Sequence, residues 1–150
     1  MDFETIKRDV RDFGHRNNAC AEQFRRVLNS DDIHELSNVI KDNFYWCCRS
    51  IEEFSSLLKK HEGAFCKEKI YLNTSVKEGF LLAWDNASVE ASGNASVEAS
   101  GNATVRAWDN ATVRASGNAT VRASGNATVR ASGNATVRAS DNATVRASDN

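Results

Sequence analysis

The chain has 150 residues, a formal net charge of -1 and four cysteines. The first 82 residues carry 13 basic and 14 acidic side chains, and the remainder carries 6 of each, so bulk charge indicates no polyanionic partner. The segment 1–4 has no basic, apolar leader pattern, and no apolar run approaches the ~20 residues of a membrane span. We therefore expect a protein of the cytoplasm or of a particle such as a virion, with no membrane partner.

Apolar residues spaced three and four apart predict four short helices in residues 1–72. The first begins near Phe3 and ends at Gly14, because glycine is the residue that commonly follows a helix. The second covers about residues 18–28, with Cys20 and Leu28 among its inward side chains. So small a helical core is marginal by itself, and it gains stability by packing on another element.

Capping residues predict where the third and fourth helices begin. Residues 30–32 (Ser-Asp-Asp) place hydroxyl and carboxylate acceptors at the start of the third helix. Residues 50–53 (Ser-Ile-Glu-Glu) form a capping box for the fourth, which ends at Gly63. The aromatic segment 44–46 lies in the connection, where it fills the core or, alternatively, forms a small binding surface.

The cysteines and histidines fit no usual metal-site spacing. Cys47 and Cys48 are adjacent, which does not match the ligand patterns of structural zinc sites. We also find no Ser-His-Asp set, no pair of catalytic acids and no phosphate-binding loop. The sequence therefore predicts a protein that is not an enzyme and that uses no metal or cofactor.

From Ala83 to Asn150 the chain is a tandem octapeptide repeat of eight full octads and a half, typified by ASGNATVR. Small apolar residues alternate with polar ones, which is the pattern of a half-buried strand. Gly-Asn or Asp-Asn follows each strand and forms a two-residue corner, since these residues tolerate left-handed backbone. The predicted inward core is one valine per octad, at Val89, Val97, Val105, Val113, Val121, Val129, Val137 and Val145.

Two octads make one coil of 16 residues, and coils stack about 4.8 Å apart. The charges support this period: Glu90 precedes Arg106 by 16 residues, and Glu98 precedes Arg114 by 16. We also expect the corner asparagines to form side-chain ladders. The alternatives are an antiparallel meander with Gly-Asn turns, which would leave an Ala/Val face in water, and disorder.

The repeat register extends backward over residues 79–82, where Phe80, Leu82 and Trp84 take the outward positions of the first coil. Three outward apolar residues require a cover, and the helical domain is the predicted cover. The fold class is thus α+β in two parts, a small N-terminal helical cap followed by a thin β-solenoid of 16-residue coils. The predicted divisions are a capping domain in 1–72, a degenerate first repeat in 73–82 led by strand 70–72, and the solenoid in 83–150.

The repeats NATVRASG and NATVRAWD resemble octapeptide-repeat proteins of bacteria and phages, most of them of unknown function. More distantly, the two-octad coil resembles the solenoid of bacterial ice-nucleation proteins. That resemblance implies Thr-x-Thr rows for ice binding and Arg-bearing coils for assembly. Here the row is Thr-x-Arg, as at Thr104 and Arg106, so the assembly role carries over more easily than ice binding.

We therefore expect a structural or interaction protein that self-associates as a scaffold or fibre element, most simply end to end through its C-terminal coils. The alternative is a module that binds ice, a glycan or a polyanion through its Thr/Arg/Ser faces. The candidate interaction residues are the exposed aromatic Trp108 and the arginines of the repeats. These arginines are Arg106, Arg114, Arg122, Arg130, Arg138 and Arg146.

Overall fold

A computed structural model describes residues 2–148 and divides them into two compact units, split between Ile70 and Tyr71. The first unit contains six helices. They are α1 (Phe3–Arg16), α2 (Ala21–Asn29), α3 (Ile33–Asp42), α4 (Phe44–Cys48), α5 (Ile51–Lys60) and α6 (Glu62–Lys67).

Two carboxylates cap helices of this unit, and the sequence predicts the one at Asp32. The Asp32 side chain accepts a hydrogen bond from the Glu35 backbone N–H at the start of α3, and Asp2 does the same for Thr5 at the start of α1. The core behind these helices contains the fully buried rings of Phe54 and Phe65. The unit is thus held by ordinary amphipathic packing around a small aromatic core.

The prediction of four helices is wrong, and the two glycines explain part of the error. Gly14 does not end α1; it lies inside the helix, buried, where an added Cβ would stand 3.5 Å from the Cβ of Ala19. Gly63 lies inside α6, which follows α5 after His61. The aromatic segment 44–46 is itself helical, as part of α4, rather than a connection.

Two inward positions and one cap were also misassigned. Cys20 precedes α2 and is exposed, and Leu28 is 46% exposed. Ser50 makes no capping hydrogen bond at α5, because its hydroxyl donates to the Asn17 side chain instead. Residue type alone therefore does not determine whether these side chains are buried or cap a helix. The contacts that they make with distant segments also matter.

An ion pair and a hydrogen bond join α1 to the end of α5. Asp9 lies 2.7 Å from Lys60 Nζ and 2.8 Å from His61 Nε2. These partners lower the pKa of Asp9 to about 2, with Lys60 as the main cause. The His61 ring is itself buried, so Asp9 provides a hydrogen-bond partner inside the unit.

The second unit is a parallel β-solenoid, as predicted. The strands are β1 (Ile70–Leu72), β2 (Phe80–Ala83), β3 (Ser88–Ala91), β4 (Ser96–Ala99), β5 (Thr104–Ala107), β6 (Thr112–Ala115), β7 (Thr120–Ala123), β8 (Thr128–Ala131), β9 (Thr136–Ala139) and β10 (Thr144–Ala147). From β2 onward, successive strands alternate between two sheets, whose strand orders are β1-β2-β4-β6-β8-β10 and β3-β5-β7-β9.

Strands one coil apart pair in parallel with a register of 16 residues, so Val97 lies beside Val113 and Val113 beside Val129. This pairing confirms the two-octad coil and excludes the antiparallel meander. The Ala and Val side chains of the two sheets form one continuous core. Asp149 and Asn150, the end of the last half-repeat, lie outside the described residues.

Each corner contains one residue with a positive φ, for example Gly101 at 63° and Asp109 at 57°. Corners stack through the backbone, with the Asn118 N–H donating to the Gly101 carbonyl at 2.9 Å. The stacking is close: a Cβ on Gly117 would lie 3.2 Å from the Gly101 nitrogen. Among the described residues, corners one coil apart are joined by backbone hydrogen bonds and, at two places, by the Asp109 and Asp141 carboxylates, and not by the predicted asparagine side chains.

Candidate interaction surface of the solenoid

The parallel register arranges the outward charged residues of the repeats in two columns. The sheet of β3, β5, β7 and β9 carries Glu90, Arg106, Arg122 and Arg138, and we call this set the first column. The other sheet carries the second column, which consists of Glu98, Arg114, Arg130 and Arg146. Each column thus begins with an acid and continues with three arginines.

The acid in each column lies beside the first arginine, as the spacing predicts. Arg106 Nη1 is 3.7 Å from Glu90 Oε1, and Arg114 Nε is 3.6 Å from Glu98 Oε1. The two pairs differ in burial, because the Glu90 side chain is 52% exposed and the Glu98 side chain 16%. An exposed pair of this kind contributes at most about 1 kcal/mol.

The low exposure of Glu98 is the feature of the columns that the sequence did not indicate. Burial raises the pKa of Glu98 to about 7, although Arg114 lowers it. Leu82 precedes Glu98 in the same outward position of the sheet, one coil earlier, and is fully buried. The apolar residue one coil before Glu98, in the same outward position, is the sequence feature that could have indicated that Glu98 is poorly exposed.

A groove runs beside the first column. Its volume is about 300 Å³, and it is lined by one Arg-Ala-Trp or Arg-Ala-Ser segment from each of three coils, namely residues 106–108, 122–124 and 138–140. Trp108 is half-buried at the position that serine takes in the next two coils. The surface thus combines three guanidinium groups with one aromatic ring.

Two aspartates of the corners near the groove already accept hydrogen bonds from the backbone. Asp109 and Asp141 accept hydrogen bonds from corner N–H groups, of Gly93 at 3.3 Å and Gly125 at 3.4 Å. Within residues 2–148, Arg122 and Arg138 have no carboxylate partner. These two positions leave net positive charge along the groove.

The structure brings Trp108 together with Arg106, Arg122 and Arg138 on one face. It places the remaining predicted arginines, Arg114, Arg130 and Arg146, on the other sheet. The predicted surface is therefore two separate arginine columns, and the groove beside the first of them includes Trp108 in its lining.

Burial of the predicted valine core falls off along the last coils. Val89 through Val129 are at most 2% exposed, whereas Val137 is partly buried and Val145 is 39% exposed. In the described residues β9 pairs with β7 and β10 with β8. The other edges of β9 and β10 therefore present backbone N–H and C=O groups that no described strand pairs.

The three residues predicted to meet a cover occupy the expected register. Phe80 pairs with Ser96 and Leu82 with Glu98, so both take outward positions, while Leu81 joins the core beside Val97. Leu82 has no exposed surface, and Phe80 and Trp84 are half-buried. The contact with the helical cap stays a prediction.

No group of three or more His, Cys, Asp or Glu side chains that could hold a metal ion occurs in residues 2–148. In the same range, the four cysteines form no disulfide. No helix among these residues is both long enough and apolar enough to cross a membrane.

No known protein family, curated protein or solved structure matches this chain. The resemblance to octapeptide-repeat and ice-nucleation proteins therefore rests on the repeat sequence alone, and the function has to be argued from the surface itself.

Proposed function

We propose that the chain is a non-enzymatic structural protein whose solenoid self-associates through the edges of β9 and β10. The observation that supports this is the exposure of Val145, in a repeat whose equivalent valines are buried in earlier coils. A strand edge with an exposed apolar side chain is a template for pairing with another chain. Reduced thiols fit the cytoplasm or a particle assembled there.

A two-fold contact between two β10 edges would be antiparallel. If the two-fold axis passes at Val145, the two valines face each other, and Thr144 of each copy lies opposite Arg146 of the other. Arginine is then not directly opposite arginine, so the contact avoids the like-charge pair that a parallel stack would create. Added salt would screen the remaining repulsion.

The test is a lysine inside the edge strand. We expect the mass of the wild-type chain to rise with concentration toward a dimer in sedimentation velocity, and Val145→Lys to remain a monomer, because an inward charge blocks edge pairing. Thr120→Lys, in the middle of the solenoid, is the matched control and should dimerise normally. A wild-type chain that stays monomeric, or an unchanged mass for Val145→Lys, would refute the proposal.

The groove beside the first column favours a second function, the binding of a linear polyanion. Three arginines stand in register beside it, and two of them have no carboxylate partner within the described residues. Guanidinium groups bind phosphate and carboxylate oxygens through paired hydrogen bonds. Ice is a poorer fit, because long arginine side chains interrupt a flat hydroxyl array.

The two columns provide their own control for this second function. We expect the double variant Arg122→Gln/Arg138→Gln to lose about tenfold in affinity for inorganic polyphosphate. The double variant Arg130→Gln/Arg146→Gln removes the same charge from the other sheet and should bind nearly as the wild type does. Equal losses in both variants would reduce the interaction to general charge attraction and exclude the groove as a site.

A further inference from the structure

The helical unit contains a cavity that neither proposed function uses. Its volume is about 240 Å³, and it lies between α1, α2, α3, α4 and α5. The walls are largely apolar and include four aromatic rings, those of Phe13, Phe24, Trp46 and Phe54. A largely apolar cavity with few polar groups is the usual form of a small-molecule site.

The cavity exists because α2 and the turn before it contribute little volume. Val27 is the buried residue of α2, while Phe24 remains half-buried at the cavity wall and Leu28 points toward solvent. Gly14 and Ala19 face each other across the wall, with only 3.5 Å between the glycine's missing Cβ position and the alanine Cβ. The backbone of α1 is therefore already close to the turn before α2, and the two residues that line the cavity there are both small.

Two side-chain amides provide polar groups in the lining. Asn43 Nδ2 donates to the Val39 carbonyl at 2.8 Å and to Gln23 Oε1 at 3.0 Å, and Arg26 Nη1 also donates to Gln23 Oε1, at 2.9 Å. These bonds leave the Gln23 Nε2 donor and the Asn43 Oδ1 acceptor without a partner among the described residues. The cavity thus combines an apolar volume with one donor and one acceptor on adjacent amides.

We propose that the helical unit binds a small, neutral, bicyclic aromatic molecule that carries an N–H donor next to a carbonyl, the chemistry of a cyclic amide. An apolar cavity of about 150 Å³ is enough to bind benzene, so 240 Å³ has room for a second fused ring. The ligand N–H would donate to Asn43 Oδ1, and its carbonyl would accept from Gln23 Nε2. The ring would lie among the four aromatic side chains.

Oxindole is a probe with this arrangement, and indane has the same bicyclic shape without the polar pair. In heteronuclear NMR of the full chain, oxindole should shift the indole N–H signal of Trp46, which lines the cavity. The signals of Trp84 and Trp108, in the solenoid, should stay in place. Indane should bind about tenfold more weakly than oxindole.

Three variants test whether oxindole binds in this cavity. Ala19→Phe fills the cavity and should abolish the Trp46 shift, whereas Ala21→Phe adds the same ring at an exposed position of α2 and should leave it. Gln23→Leu should bring the affinity for oxindole down to that for indane. The wild-type spectrum keeps the proposal testable even if Ala19→Phe does not fold. It is overturned if oxindole leaves Trp46 unmoved, if Trp84 or Trp108 moves as much, if indane binds equally well, or if a folded Ala19→Phe binds as the wild type does.

Discussion

Replacing Glu98 with glutamine should stabilise the solenoid at neutral and basic pH. Glu98 is an acid whose side chain is 16% exposed, and burial raises its pKa from 4.5 to about 7 even though Arg114 is 3.6 Å away. The folded state therefore binds the proton more tightly than the unfolded chain does. Stability from this group is greatest below pH 4.5, falls as the pH rises to about 7, and changes little above that.

The magnitude follows from the two pKa values. The rise from 4.5 to about 7 corresponds to about 3 kcal/mol of unfavourable free energy once the folded state is ionised. Glutamine keeps the shape of the side chain and removes the charge, so Glu98→Gln should recover most of this at pH 8. Below pH 4.5 the wild type is protonated in both states, and the gain should vanish.

The assay is urea unfolding, followed by circular dichroism in the β region at pH 4.5 and pH 8. Glu90→Gln is the matched control, because Glu90 occupies the same repeat position, pairs with Arg106 and is 52% exposed. The control should change stability by no more than about 0.5 kcal/mol at either pH. A loss of stability for Glu98→Gln at pH 8 would show that the Arg114 pair outweighs desolvation. A gain that is the same at both pH values would show that it does not come from removing the buried charge, and it would also refute the reasoning.

Three further predictions test the core, the helical unit and the corners. Val113→Ala should cost about 2 kcal/mol in chemical unfolding and Val145→Ala under about 0.5, because only the first is fully buried. Asp9→Asn should cost about 2 kcal/mol at pH 7, a difference that disappears as the pH falls from 3.8 to about 2, whereas Asp12→Asn, at an exposed pair, should cost little. Gly117→Asp should change stability little, because other corners already hold aspartate at positive φ. Gly117→Val should destabilise the fold by about 1–2 kcal/mol of backbone strain, which a lower melting temperature would show.

The solenoid could be predicted from the sequence because every octad repeats the same information. Alternation indicates a strand, Gly-Asn or Asp-Asn indicates a corner, and the spacing from Glu98 to Arg114 indicates how coils stack. Each signal is weak by itself, but eight copies of it agree. The register follows directly, since a slip of one residue would turn every valine outward.

The helical unit was predicted less well because its decisive interactions join distant segments. The sequence predicts a helix end at Gly14, but this residue packs closely against Ala19 inside α1. It also predicts a cap at Ser50, but the Ser50 hydroxyl donates to the side chain of Asn17, 33 residues away in the chain. Neither partner can be identified from local spacing, since the same residue types cap helices elsewhere.

The candidate sites differ in the same way in how well the sequence predicts them. The arginine columns are a direct consequence of the period, so their members could be named from the sequence. The cavity could not, because Phe13, Phe24 and Phe54 have the spacing of ordinary core residues, and the small residues Gly14 and Ala19 in its wall form no local pattern that indicates a cavity.

In a repeat, the positions that depart from the consensus carry the specific information. The core and the corners are nearly uniform, so they define a rod and cannot distinguish one part of it from another. These departures include the two acids at the head of the columns, Glu90 and Glu98, and the aromatic Trp108 in place of serine. Together they give the rod a direction, with paired charges in the early coils and unpaired arginines beside a ring in the later ones. We therefore expect a partner that distinguishes one part of this solenoid from another to bind at the later coils, which is also where the valine core becomes exposed.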